Sequence, residues 1–205
     1  PTPPQLYLAR HGETAWSLSG RHTGLTDLPL LEAGERNSQR LGERLRGTPF
    51  AKVWASPLRR AMRSCELAGF GACAEPDADL VEWDYGDYEG LTGVQIRAAK
   101  SAWSLFHDGC PGGESPSQVA ARANRVIERV RSLDADVLLF SSGHLLRMLA
   151  TRWLGLPFSC GALLVLDTVT GGDAERLYTR LGWQRVGSIP DYALWPQGGL
   201  CATTY

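Results

Sequence analysis

Residues Val137-Leu138-Leu139-Phe140 form an unbroken apolar run, and no other feature restricts the fold of this chain as much. A strand that is apolar on both faces must be covered on both, which is what a parallel sheet flanked by helices provides. The run Leu6-Tyr7-Leu8-Ala9 has the same character, and Lys52-Val53-Trp54-Ala55 reads as another short strand. Helical patterns lie between these runs. The alternation predicts an α/β fold, a three-layer α/β/α sandwich around a mostly parallel central sheet.

The helices can be placed from local chemistry. One is expected over residues 32–46, charged on most of its surface. Another follows Pro57 through residue 67, with the proline in its first turn. Ser115-Pro116-Ser117-Gln118 reads as a capping box opening a long helix, in which Val119, Ala123, Val126, Val130 and Leu133 recur at helical spacing and mark the core face. Residues 145–154 form the helix after the apolar strand.

Two histidines arrive directly after strands, in Arg10-His11-Gly12 and in Ser141-Ser142-Gly143-His144, which suggests a shared active site. Between them lie Ser56-Pro57-Leu58-Arg59-Arg60-Ala61 and the acidic stretch at 82–90. Two imidazoles, two arginines and an acid suit phosphoryl transfer. A neutral imidazole, with an ordinary pKa near ~6.5, attacks a phosphomonoester dianion without adding negative charge. A guanidinium pairs bidentately with phosphate oxygens and stays charged.

Composition limits the partners. The chain has 205 residues and a formal net charge of -1, so nothing draws it as a whole to nucleic acid or to an anionic membrane, and any anion site must be local. Five cysteines show neither CxxC nor Cys/His metal spacing, so reduced thiols in the cytoplasm are expected and no metal or cofactor is. No apolar stretch is long enough to span a bilayer.

RHGET at 10–14, GRHTGLTD at 20–27, SPLRRA at 56–61, EWDYGDYEG at 82–90, PGGES at 111–115 and SSGH at 141–144 together resemble the histidine phosphatase superfamily, over roughly residues 5–160. The resemblance implies a phosphoglycerate mutase-like fold and a metal-independent phosphomonoester hydrolase working through a phosphohistidine. It implies that His11 is the nucleophile and that Arg10 and Arg60 clamp the phosphate. His144, protonated, would donate to an equatorial phosphoryl oxygen. Glu82 would protonate the leaving alkoxide and then deprotonate the attacking water. Arg21, Ser17 and Thr23 would touch the substrate. Ser17 stands where the family commonly has asparagine, and Leu31 stands where a threonine often caps the next helix. His22 and His107 are expected to be ordinary surface residues.

Mutases of this family carry a longer insertion before the second histidine, whereas here 61 residues separate Glu82 from His144, which favours hydrolysis. Phosphoglycerate mutase activity and a non-catalytic phosphate-binding role are the alternatives. The WDYGDYEG wording resembles members acting on sugar phosphates and bisphosphates. The expected substrate is therefore a small phosphorylated metabolite.

Residues 163–205 are expected to form a C-terminal segment apart from the phosphatase domain at 1–162. Residues 161–168 could supply a returning strand. Beyond them, residues 173–183 and 189–194 resemble the end of a GNAT-type N-acetyltransferase, without that family's glycine-rich coenzyme A cradle. Three readings of this segment stand side by side: it completes or extends the sheet, it pairs two subunits through its strands, or it retains an acyl-transfer role, with Tyr178 as that family's general acid by register.

Overall fold

The computed structural model describes residues 5–164, together with the backbone of three short strands nearer the C-terminus. The chain divides into two compact units, Pro1–Ala162 and Leu163–Tyr205.

The first unit is built on strands β1 (Leu6–Arg10), β2 (Lys52–Ala55), β3 (Ala74–Pro76) and β4 (Val137–Ser141). All are parallel, in the order β1-β4-β2-β3. The apolar run at 137–140 thus lies between two neighbours. Alternation along the strands sends Val137 and Leu139 to one face and Leu138 and Phe140 to the other. On the first face they meet Val119, Val126 and Val130 of α6 (Pro116–Leu133) and Leu145, Leu146 and Leu149 of α7 (Gly143–Trp153). On the second face lie Leu41 and Leu45 of α2 (Glu32–Leu45) and Cys65 of α3 (Arg59–Leu67). This is the expected three-layer sandwich. Each large apolar side chain buried here contributes roughly 1.5–3 kcal/mol.

Helix ends follow local chemistry, with two departures from expectation. Ser115 and Gln118 form the expected capping box. Pro57 lies before α3 and not in its first turn, because Leu58 is the extended N-cap residue; the amide of Arg59 donates instead to Asp27 Oδ1, at 2.8 Å. Leu31 gives α2 no side-chain cap, as expected, and the acidic residues Glu32 and Glu35 in the first turn offset this through the helix dipole. Short helices α1 (Ala15–Leu18), α4 (Gly93–Ala99) and α5 (Leu105–Asp108) complete the unit. Among the described residues, no helix is long and apolar enough to cross a membrane.

One close approach fixes the loop after β1. A Cβ on Gly12 would fall 2.3 Å from the Gly34 carbonyl oxygen, and one on Gly34 would fall 2.4 Å from that of Glu13. Only glycine at both positions lets the loop lie on the backbone of α2. The amide of Gly12 also donates to Ser64 Oγ in α3, at 2.8 Å.

In the second unit, β5 (Thr168–Val169), β6 (Ser188–Leu194) and β7 (Leu200–Thr204) form an antiparallel sheet in the order β5-β7-β6. Of the returning strand expected at 161–168, Gly161 and Ala162 belong to a 3-10 turn, Phe158–Ala162. The segment at 173–183, with Tyr178, for which an acetyltransferase resemblance is expected, lies outside the described residues, as does its second portion at 189–194 apart from the β6 backbone.

Candidate active site

The site forms at the carboxyl ends of β1 and β4, where ligands bind in open α/β sheets. The two strands pair from Leu6↔Val137 to Arg10↔Ser141, and the amide of His11 extends the ladder by donating to the Ser141 carbonyl at 2.9 Å. A cavity of about 370 Å³ opens there. Arg10, His11, Glu82 and Tyr85 line it, with Ser17, Gly20, Arg21, His22 and Thr23 on one wall and Gly143, His144 and Arg147 on another.

His11 is buried, and its Nδ1 lies 2.7 Å from the carbonyl oxygen of Gly12. A carbonyl can only accept, so Nδ1 carries the proton and the lone pair is left on Nε2. Burial lowers the pKa to about 4, and the charges of Arg10 and Arg60 act in the same direction. The ring is therefore neutral at physiological pH, as a nucleophile requires.

Glu82 is 4 % exposed and sits against the start of α7. Its Oε1 accepts from the amides of Trp83 and Leu145, at 2.9 and 2.8 Å, and its Oε2 accepts from the amide of His144 at 2.9 Å. The carboxylate thus caps α7 from another segment, with its charge at the positive end of the helix dipole. Oε2, with a single donor, has the freer lone pairs for a proton.

Sequence reasoning missed what holds Glu82. Arg122 of α6 donates to both carboxylate oxygens of Glu114, at 2.8 and 2.7 Å, and to the carbonyls of Asp79 and Val81, both at 2.8 Å. Glu114 Oε2 accepts from the amide of Asp84, and the Glu114 carbonyl accepts from Trp83 Nε1. Gly86, at φ +50°, and Gly113 let the two segments meet: a Cβ on either would come within 2.3 Å of backbone atoms of the other. The glutamate of PGGES and an arginine eight residues later were the available signal.

Arg10 is exposed to the cavity. Arg60 differs from the expected phosphate fork. It is wholly buried, and its terminal nitrogens donate to the carbonyls of Thr23, Gly24 and Thr26 at 2.8–3.1 Å. Those bonds shape the loop that carries Thr23 and leave Nε as the guanidinium nitrogen without a partner among the described residues. Ser17 caps α1, its hydroxyl donating to the Thr14 carbonyl and accepting from the Thr14 amide. Thr23 Oγ1 donates to the Arg21 carbonyl at 3.2 Å, and the exposed Arg21 lies over the Trp16 ring at 6.0 Å.

His144 lines the cavity together with His11, as expected, but in a different protonation state. The β1–β4 pairs end at Arg10↔Ser141; Ser142 follows as the N-cap of α7, and His144 stands two residues further on, in the first turn of that helix. Its Nδ1 is 2.6 Å from the hydroxyl of buried Tyr85, and its ring stacks on His22 at 5.9 Å. Burial first, then the charges of Arg147, His22 and Arg10, hold its pKa well below 6.5, so the ring is neutral instead of protonated. Burial pushes the Tyr85 phenol well above 10. Tyr85 has no other acceptor among the described residues, so it donates to Nδ1, and the proton of His144 resides on Nε2. His22, expected at the surface, lines the cavity, with Nδ1 2.9 Å from the Leu91 carbonyl. His107 is exposed, as expected.

Burial pushes the thiols of Cys65 and Cys110 up to about 12, far from nucleophilic at neutral pH. Among the described residues, no cluster of three His, Cys, Asp or Glu side chains is placed to hold a metal ion.

Comparison with known proteins gives the family. The family model for the histidine phosphatase superfamily (branch 1) matches residues 6–170. An acid phosphatase of Mycobacterium tuberculosis is 43% identical over 176 residues, covering 82% of this chain and 84% of its own. A sedoheptulose 1,7-bisphosphatase of Saccharomyces cerevisiae is 35% identical over 238 residues, covering 98% of this chain and 88% of its own. The solved structure of a mycobacterial glucosyl-3-phosphoglycerate phosphatase superposes with a TM-score of 0.70 at 29% identity, over 80% of this chain and 85% of that one. The fold, the strand-end site and these matches together make the chain a member of the histidine phosphatase superfamily, with the phosphoric monoester hydrolases among its relatives.

Proposed function

We propose that this protein hydrolyses small phosphorylated metabolites, sugar phosphates in particular, through a phosphohistidine on His11. The observation that carries the reading is the state of His11: neutral, tautomerically fixed, with Nε2 as its free nitrogen in a cavity that also holds Arg10 and Glu82. The Nε2 lone pair attacks phosphorus while the bond to the leaving oxygen breaks, and Glu82, which enters this step as the carboxylic acid, gives that oxygen its proton and is left as the carboxylate. A water then attacks phosphorus, Glu82 takes its proton, the phosphorus–nitrogen bond breaks, and phosphate leaves. Arg10 binds phosphoryl oxygens with its fork; Arg60 contributes its charge and Nε–H from behind. His144 serves as a neutral donor through Nε2–H. Ser17, Arg21 and Thr23 face the substrate.

The sugar-phosphate reading draws on the bisphosphatase and glucosyl-phosphoglycerate phosphatase relatives. The exposed cation Arg21 on the cavity wall suits a second anionic group. Cysteines without ligand spacing fit a cytoplasmic setting, and the C-terminal strands would pair two subunits. The acetyltransferase-like segment, lacking a cofactor cradle, has a structural role in this reading.

The test is phosphate release, with a chelator present, from p-nitrophenyl phosphate, sedoheptulose 1,7-bisphosphate and 3-phosphoglycerate. Turnover that ranks the sugar bisphosphate first and vanishes in His11→Ala is expected. Isomerisation of 3-phosphoglycerate without net phosphate release would replace the reading with that of a mutase, and inactivity on every compound would refute it.

A further inference from the structure

Two buried side-chain atoms lack a hydrogen-bond partner among the described residues, Arg60 Nε and Ser142 Oγ. A buried polar group left unmet lowers the stability of the free protein, so each such atom calls for an explanation, and a ligand that completes it is one. Arg60 Nε is already explained as a phosphate donor. Ser142 is not.

Its surroundings make the unmet hydroxyl more unusual. Ser142 occupies the N-cap of α7, where a serine oxygen ordinarily accepts from an amide in the first helical turn. Here the amides of His144 and Leu145 donate to Glu82 instead, and the serine makes no side-chain cap. Glu82 has displaced Ser142 from its usual task. The residue is 1 % exposed and extended, at φ −116° and ψ 165°, so it continues the line of β4 beyond Ser141. Since β1 and β4 last pair at Arg10↔Ser141, the next residues in register are His11 and Ser142. The Arg10 guanidinium flanks the same point: a Cβ on Gly143 would lie 3.4 Å from Arg10 Nε.

Resting on the phosphohistidine reading above, we propose that Ser142 is a further phosphate-binding residue, its Oγ–H donating to a non-bridging oxygen of the phosphoryl group at His11. A hydroxyl suits this place because it rotates, donating to an anionic oxygen and accepting from a protonated one. The contact forms only when a phosphoryl group is present, so the free protein carries the unmet hydroxyl and the complex does not.

That asymmetry gives the test. Ser142→Ala removes a hydroxyl that helps the complex and burdens the free protein. Its melting temperature should equal or exceed that of the parent, while calorimetric affinity for inorganic phosphate and kcat each fall by about tenfold to a hundredfold. Ser142→Gly, which removes the hydroxyl with no added bulk, should repeat the loss of affinity. A lowered melting temperature with unchanged phosphate affinity and kcat would make Ser142 structural and overturn the proposal. Phosphate affinity is read without turnover, so a parent that binds phosphate through Ser142 yet hydrolyses nothing would sink the hydrolase reading and leave this contact standing.

Discussion

Replacing Arg122 with alanine should damage both stability and catalysis, although Arg122 does not line the cavity. The side chains of Arg122 and Glu114 are 14% and 21% exposed and joined by two short charge-assisted bonds. Removing one partner of a buried pair costs about 3–5 kcal/mol; the residual solvent contact here favours the lower end, about 3 kcal/mol. Truncation would strand the Glu114 carboxylate and leave the carbonyls of Asp79 and Val81 without the donors they have now. In a chain of this length, about 3 kcal/mol should lower the melting temperature by about 6–12 °C. The segment that relaxes ends in Glu82, and a displacement of ~1 Å at a reacting group costs about a hundredfold. A fall in kcat of ten- to a hundredfold is therefore expected at temperatures where the variant is folded. Thermal unfolding followed by circular dichroism, with turnover of p-nitrophenyl phosphate, measures both. Adding Glu114→Gln should recover part of the lost stability, because the stranded charge is gone. A variant within about 0.5 kcal/mol of the parent with unchanged kcat would refute this account of how Glu82 is held.

The protonation state of His11 should show in stability as well as in spectra. The folded protein holds its pKa at about 4 against 6.5 in the unfolded chain, so between those values the unfolded state binds more protons and stability falls as pH drops, by about 2–3 kcal/mol from this group. Denaturant titrations at pH 7 and 4.5 should give a smaller loss in His11→Asn than in the parent; equal losses would contradict the assignment. Nitrogen-15 NMR of His144 should show a proton on Nε2 and none on Nδ1 at pH 7, and Tyr85→Phe should produce a mixture of tautomers; a proton on Nδ1 in the parent would reverse the assigned donor. Leu31→Thr should stabilise the protein by up to about 1 kcal/mol in urea unfolding by giving α2 an N-cap, and no gain would mean that packing of Leu31 outweighs capping.

The sheet and its flanking helices were legible because burial on both faces leaves a direct mark, as in Val137-Leu138-Leu139-Phe140. The long helix α6 was marked by its capping box and apolar spacing. Short elements such as β3, α4 and α5 carry too few residues for a period to emerge. At the site, His11 and Glu82 could be found from motifs, but their states could not, since those depend on a carbonyl at Gly12 and amides from α7. Arg60 was assigned a fork because its chemistry favours one; which carbonyls take up that fork is decided by the 23–26 loop. His144 could be found from its motif as a residue of the His11 cavity, but its neutral state could not, since that depends on burial and on the Tyr85 hydroxyl. His22 reads as a surface residue until the loop folds it against Tyr85 and His144. Ser142 stands in the SSGH block, but nothing in the sequence marks its unmet hydroxyl, which arises because Glu82 takes the cap of α7 from it.

The central claim is that the phosphoryl group passes through His11, and rapid-quench trapping with a phosphorus-32 labelled sugar phosphate tests it most directly. The account predicts a transient protein-bound label that is stable to alkali, labile to acid, located on a peptide containing His11 and absent from His11→Ala. Phosphate released at the parent rate with no such label, or a label that persists in His11→Ala, would contradict it.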